Sequence, residues 1–172
     1  EQPIIAGVGH DRSEAKVTVV GVPDKPGEAA LIFEALADAE VNIDMIVQNV
    51  SAAATGLTDI SFTMPHTDTA RAVIALEKVK EPAGFTELLV DDQVGKVSLI
   101  GAAMRTNAGV SATFFRALSD AGVNVEMIST SEIRISVVTR ADDLDAAVSA
   151  IHTAFGLDDA DGEAVVYGGT GR

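Results

Sequence analysis

The side chains able to do chemistry in this 172-residue sequence are few and scattered. There is no Cys, and His10, His66 and His152 stand far apart without HxxH or HExxH spacing. Thiolate catalysis and the common zinc sites are therefore not written into the chain, and a solvated or helix-surface place suits each histidine better. Asp91-Asp92 and Asp142-Asp143 resemble carboxylate dyads only in sequence. Neighbours on a strand point to opposite faces, and the second pair suits the first turn of a helix, where partial positive charge favours acids. No GxxxxGK[ST] motif occurs, and the closing YGGTGR precedes no helix that would supply a phosphate site. A binding protein is expected, with no catalytic residues, cofactor or metal of its own.

Two segments offer binding chemistry instead: VPDKPGEAA at 22–30 and AAMRTNAGVSA at 102–112. Gly27 or Gly109 lets the backbone turn into a helix, whose free N–H groups can hold a carboxylate. A zwitterionic amino acid fits that end. Asp24 could accept hydrogen bonds from its ammonium or hydroxyl group, and Gln48 could donate to and accept from its side chain. The same residues serve equally as a Pro-Gly turn that merely starts a helix, with Asp24 as an ordinary cap.

These segments occur at matching places because the chain repeats itself. Residues 27–49 and 109–131 share 11 of 23 positions without a gap, and KVTVVG at 16–21 matches KVSLIG at 96–101. A period of about 80 residues divides the chain into two similar modules. In the first, Val17 and Val19 mark a strand, and Ile32, Leu36 and Ala39 one face of a helix. Ile43, Met45 and Val47 alternate with Asp44, Ile46 and Gln48 as a second strand. Ser51–Gly56 is a small-residue loop, and Ile60, Phe62 and Met64 line a third strand closed by Pro65. Ala72, Leu76 and Val79 mark another helix, and 85–90 a last strand.

The second module follows suit: a strand at 96–101, a helix from about 109 carrying Phe114, Leu118 and Ala121, and strands near 125–129 and 133–138. The stripe Leu144, Val148, Ile151, Phe155 then marks a helix, before a strand at 164–167. The order is βαββαβ twice, an α+β chain of two tandem ferredoxin-like units, each with two helices on one face of a four-stranded antiparallel sheet. The expected division is 16–91 and 92–172. Residues 4–8, IIAGV, form an extra strand that pattern alone does not place; it can join either module, and in the second it would complete that unit. Asn42 and Asn124 fall at helix-to-strand transitions, where Asn tolerates turn conformations.

Composition bounds the partners. The 26 acidic against 12 basic residues give a net charge of −14, which excludes a nucleic-acid backbone as ligand and is otherwise accounted for by solubility. Charged or polar residues interrupt every apolar segment well short of the ~20 residues a membrane helix needs, and no signal peptide is apparent at the start. A soluble protein without disulfides is expected, compatible with a reducing compartment. Cores of ~70–80 residues are marginal and leave edge strands and one sheet face uncovered, so side-by-side sheet pairing in a dimer is expected.

DKPGEAA at 24–30, VNIDMIVQNVS at 41–51, TDISFT at 58–63, DDQVGKVSLIGA at 91–102, VNVEMISTSEIRISV at 123–137 and the ending AVVYGGTGR together resemble the ACT-domain family. Within that family they specifically resemble the carboxy-terminal regulatory region, or separately made beta subunit, of actinobacterial-type aspartokinases. The resemblance implies a regulatory polypeptide of the cytoplasm, homodimeric in isolation. Its catalytic partner would be an alpha subunit, in an alpha2-beta2 enzyme, whose kinase domain phosphorylates aspartate with ATP for lysine, threonine and methionine synthesis. It further implies threonine as allosteric ligand, commonly concerted with lysine, bound between the first module of one subunit and the second of its partner. Carried over position by position, this implicates Asp24, Gly27, Glu28, Ala29 and Gln48 on one side, and Asn124, Val125 and Ile128 on the other. Ser51 and Gly95 match positions associated with feedback control and read as loop or hinge residues. The second loop, Asn107-Ala108-Gly109, departs from the family's usual histidine-proline-glycine run. A stand-alone amino-acid sensor for another partner, or a dimerisation module without a ligand, would share the local features.

Overall fold

The computed structural model describes residues 4–102, 104, 107–157 and the backbone of 165–169. Two compact units emerge: a first module, Glu14–Asp92, and a second that joins Glu1–Ser13 to Gln93–Arg172.

In the first module the elements run β2 (Glu14–Pro23), α1 (Glu28–Asp38), β3 (Ile46–Gln48), β4 (Leu57–Pro65), α2 (Thr69–Ala83) and β5 (Glu87–Asp91), with β1 (Ile4–Asp11) preceding them. The sheet order is β3-β4-β2-β5, antiparallel throughout. Period-two alternation puts Val17, Val19, Ile60, Phe62 and Met64 on the face under the helices, where Ile32, Leu36, Ala72 and Leu76 meet them as one buried cluster. Each such aliphatic or aromatic side chain withdrawn from water contributes about 1.5–3 kcal/mol, which is what commits the strands to this register. On the other face the Thr18 and Ser61 hydroxyls hydrogen-bond across the strands at 2.9 Å.

The second module repeats the plan with β6 (Val94–Ala102), α3 (Ala108–Asp120), β7 (Met127–Thr130), β8 (Arg134–Arg140), α4 (Leu144–Ala154) and β9 (Val165–Gly169). Phe114, Leu118, Val97, Leu99, Val137, Leu144 and Ile151 build its core. Ser98 and Ser136, aligned with Thr18 and Ser61 in the repeat, form the matching hydroxyl pair at 2.6 Å. The βαββαβ order thus occurs in both modules, but the second sheet is not four-stranded. Its order is β7-β8-β6-β1-β9: the strand at 4–11 pairs antiparallel with β6 and parallel with β9, separating two strands that are neighbours in the first module. Its Val8 is fully buried in the core, and that burial accounts for its central place.

Smaller departures are local. The second strand, read over 43–48, keeps its alternation, with Met45 buried and Ile46 and Gln48 exposed, yet the ladder itself covers only 46–48. Asp142-Asp143 fall in a 3₁₀ turn, Ala141–Asp143, that leads into α4. Arg105, Thr106, Ala164 and the closing residues 170–172 lie outside the described residues.

Candidate functional site

The loop from β2 into α1 is held open by backbone geometry rather than by side-chain caps. Near its end β2 carries a bulge, with the register shifting between Val19 and Val22. Gly21 adopts φ +73° there, and its N–H donates to the Asp59 Oδ1 at 3.0 Å. The Asp24 N–H donates to the Gly56 carbonyl at 2.9 Å. Gly27, at φ 103°, then occupies the N-cap position, a conformation that L side chains rarely adopt. Glycine offers no side-chain acceptor, and no capping bond forms, so the first-turn N–H groups of α1 point outward without an intrahelical partner.

Around that helix end, Asp24, Gly27 and Ala29 are exposed, whereas Glu28 is 7% exposed. The Glu28 Oε1 lies 3.5 Å from the Lys25 ammonium, and its Oε2 is buried without a hydrogen bond. An unpartnered buried carboxylate oxygen is a cost of about 1–3 kcal/mol, and a donor group brought by a ligand would remove it. Gln48 lies on β3, exposed, one residue before Asn49, whose N–H donates to the Asp59 carbonyl. The Thr58 hydroxyl donates to the Asn49 carbonyl. Asp24 and Gln48 therefore both flank segments tied to residues 56–59 at the start of β4, which brings them to the same end of the sheet. The arrangement presents amide donors for an anion and carboxylates for a cation, the pair of charges that an amino acid carries.

Asn124, Val125 and Ile128 belong to the second module. Asn124 is exposed between α3 and β7, Val125 is half-buried against the core, and Ile128 is 47% exposed on the edge strand β7. An open groove of about 400 Å³ runs beside Asn124 and Val125, walled by Phe115, Leu118 and Val123.

The second module's own counterpart of the α1 loop is built differently. Its helix begins at Ala108 from an extended Asn107 (φ −119°, ψ 92°), so Gly109 lies inside the first turn and is not the turning residue expected from the alignment. Val110, 4% exposed, occupies the place of Glu28. A cavity of about 170 Å³ is lined there by Met104, Asn107, Ser111, Thr130 and Ser131, among others. Among the described residues, this cavity presents hydroxyls where the first loop has charged groups.

Of the two positions read as loop or hinge, Ser51 does lie in the segment between β3 and β4, half-buried. Gly95 does not. It is a buried residue of β6, paired with Thr139, and a Cβ there would lie 2.9–3.1 Å from the Leu144 side chain at the start of α4. Sequence reading missed this because the contact joins residues 49 positions apart. His10 and His152 are half-buried and His66 is exposed. Among the described residues no three His, Cys, Asp or Glu side chains gather as a metal site, and no helix is long and apolar enough to cross a membrane.

Comparison with known proteins gives this arrangement its family. The family model of the ACT domain matches residues 17–79 and again 97–155. The aspartokinase of Corynebacterium glutamicum is 59% identical over 172 residues, all of this chain and 41% of the relative's length. That of Mycobacterium tuberculosis H37Rv is also 59% identical with the same coverage. The chain thus spans about two fifths of the length of these curated relatives. Among solved structures, the regulatory subunit of aspartate kinase from Thermus flavus superposes with a TM-score of 0.82 at 37% identity, covering 88% of this chain and 99% of that one. A structure of aspartokinase alpha and beta subunits gives 0.81 at 41% identity, covering 88% and 98%. The chain belongs to the ACT-domain family, in the tandem form found in the regulatory part of aspartokinases.

Proposed function

We propose that this chain is the feedback-control arm of an aspartokinase, and that it binds threonine between the first module of one copy and the second module of its partner. The observation that carries the reading is the uncapped N-terminus of α1, set between exposed Asp24 and the buried, half-partnered Glu28, with Gln48 at the same end of the sheet. Helix-end amides receive the carboxylate; Asp24 and Glu28 receive the ammonium; Gln48 reads the hydroxyl; Gly27 and Ala29 leave room for close approach. Asn124 and Val125 close the pocket from the partner copy, with Ile128 beside them on β7. The two ACT domains are the first module, 16–91, and the second, 92–172, completed by the strand at 4–8. Exposed Ile46 on β3 and Ile128 on β7 suit side-by-side sheet pairing in a homodimer.

In the complete enzyme this arm acts on an alpha subunit, in an alpha2-beta2 assembly of the cytoplasm, and inhibits aspartate phosphorylation in concert with lysine. A ligand touched by both copies binds the assembled state preferentially and so stabilises the dimer. Titration calorimetry with millimolar threonine, together with sedimentation, tests the reading: heat and a shift toward dimer are expected. Asp24→Ala should lower affinity at least tenfold with an unchanged circular dichroism spectrum. Absence of heat and of any thermal shift would leave a dimerisation module without a ligand.

A further inference from the structure

The strand that carries Gln48 is short and precariously held. β3 has three ladder residues and lies at the sheet edge, bonded on one side alone, to β4. Its entry depends on a single residue of β4. The Asp44 N–H donates to the Thr63 carbonyl, and the Thr63 N–H donates to the Met45 carbonyl, each at 3.0 Å. Two residues of one strand thus face one residue of the other, the mark of a bulge, and such an irregularity disturbs the ladder locally. The Met45 N–H is met instead by the Thr63 side chain, donating to Oγ1 at 3.0 Å. Thr63 is fully buried and Met45 is 4% exposed, so bulk water has no access to replace the hydroxyl.

The second module supplies an internal reference. There the position aligned with Thr63 is Val138, which has no hydroxyl to offer. The Glu126 N–H still donates to the Val138 carbonyl, but Met127, aligned with Met45, is already a ladder partner of Val138, and β7 runs four residues, 127–130. The same backbone approach therefore starts its strand one residue earlier where the hydroxyl is absent.

We propose that Thr63 is a positioning residue for the effector site: by fixing the Met45 N–H, its hydroxyl sets where β3 begins and hence how Gln48 is presented. The proposal rests on the threonine-binding reading above. Thr63→Val keeps the shape and removes the acceptor; Thr63→Ser restores it. Ala72→Gly in α2 loosens the first module's core, on the sheet face opposite Thr63, and reports any general effect of lost stability.

Three measurements on the 172-residue chain decide the matter: hydrogen exchange at the Met45 amide, threonine affinity by calorimetry well below the melting temperature, and the melting temperature itself. Thr63→Val should speed exchange at Met45 at least tenfold and weaken threonine binding five- to tenfold. Thr63→Ser and Ala72→Gly should stay within twofold of the parent affinity. Should Thr63→Val not fold, Thr63→Ala supplies the same comparison. Unchanged exchange, unchanged affinity in the variant lacking the hydroxyl, or an equal loss in Ala72→Gly would each overturn the role of Thr63 while leaving the threonine site standing. No binding by the parent chain would remove the threonine site, and this proposal with it.

Discussion

Gly21 and Gly101 lie near the ends of equivalent strands of the two modules, yet each is glycine for a different reason. Gly21 sits in a bulge at φ +73°, with the Thr86 side chain as the nearest obstacle to a Cβ, at 2.7 Å from its Oγ1. Gly101 has no left-handed conformation to accommodate. A Cβ there would lie 2.3 Å from the Ile4 carbonyl oxygen, because β1 crosses at that point. The helix starts differ as well: an αL glycine before a buried glutamate in the first module, an extended asparagine before a buried valine in the second. Duplication kept the cores and the paired hydroxyls under one plan, and let the strand insertion and the charge at the helix end diverge. Scaffold positions are tied by packing to many neighbours, whereas a loop residue answers to few.

The comparison can be broken most forcefully by deleting residues 4–11. The second module would lose a strand paired on both sides, and the first would lose none. Hydrogen exchange should show the second module unprotected and the first retaining its protection; equal effects on both would contradict the assignment of β1. Next in size is the glycine pair. Gly101→Ala must displace backbone and should cost about 3 kcal/mol in urea unfolding. Gly21→Ala meets a positive φ and must turn the Thr86 hydroxyl from the Val20 carbonyl, with no backbone in the way, for about 1–2 kcal/mol. A larger loss at Gly21 would reverse the explanation.

Exchanging the helix ends sharpens the functional half of the contrast. Glu28→Val gives the first module the second module's residue and removes a buried unpartnered oxygen, so stability should rise by about 1 kcal/mol. Threonine affinity should fall at the same time. Loss of stability without loss of binding would mark Glu28 as structural.

The smallest effect belongs to the second module alone, at the exposed ion pair of Arg12 and Asp145, 2.6 Å apart. Its hydrogen bond and then its charge hold the Asp145 carboxyl below the ordinary aspartate value. A carboxyl depressed in the folded state contributes stability above its unfolded pKa and loses it as pH falls through the folded value. The pair is exposed, so Arg12→Ala should lower thermal stability only slightly at neutral pH, less in high salt, and the difference should disappear as pH falls through the aspartate range. A difference from the parent chain that grew between pH 5 and 8 would point to another group.

Much of the fold was legible because its signals are local. Alternation at Val17 and Val19, the stripes at Ile32 and Leu36 and at Leu144 and Ile151, and the repeated VN-x-x-MI segments all register within a few residues of one another. The loop residues Asp24 and Gly27 were legible for the same reason: a left-handed glycine after a Pro leaves its mark on the adjacent sequence. Gly109 aligns with Gly27 and yet does not turn the chain, since identity in an alignment carries no dihedral angle. Gly95 read as a hinge because its reason, Leu144, lies in another element.

By itself the sequence determined two modules, their βαββαβ order, the buried faces of the elements apart from Ala121, which is exposed at the end of α3, and the chemistry available at the first helix end. Those follow from periodicity and from residue-level backbone preferences, which need no knowledge of the rest of the chain. Only the tertiary structure decided that β1 enters the second sheet between β6 and β9, that Glu28 is buried with one oxygen unpartnered, and that Thr63 holds the entry to β3. Each of these depends on groups far apart in sequence competing for one hydrogen bond or one volume, and such competition is settled by packing in space, where no local pattern records the winner.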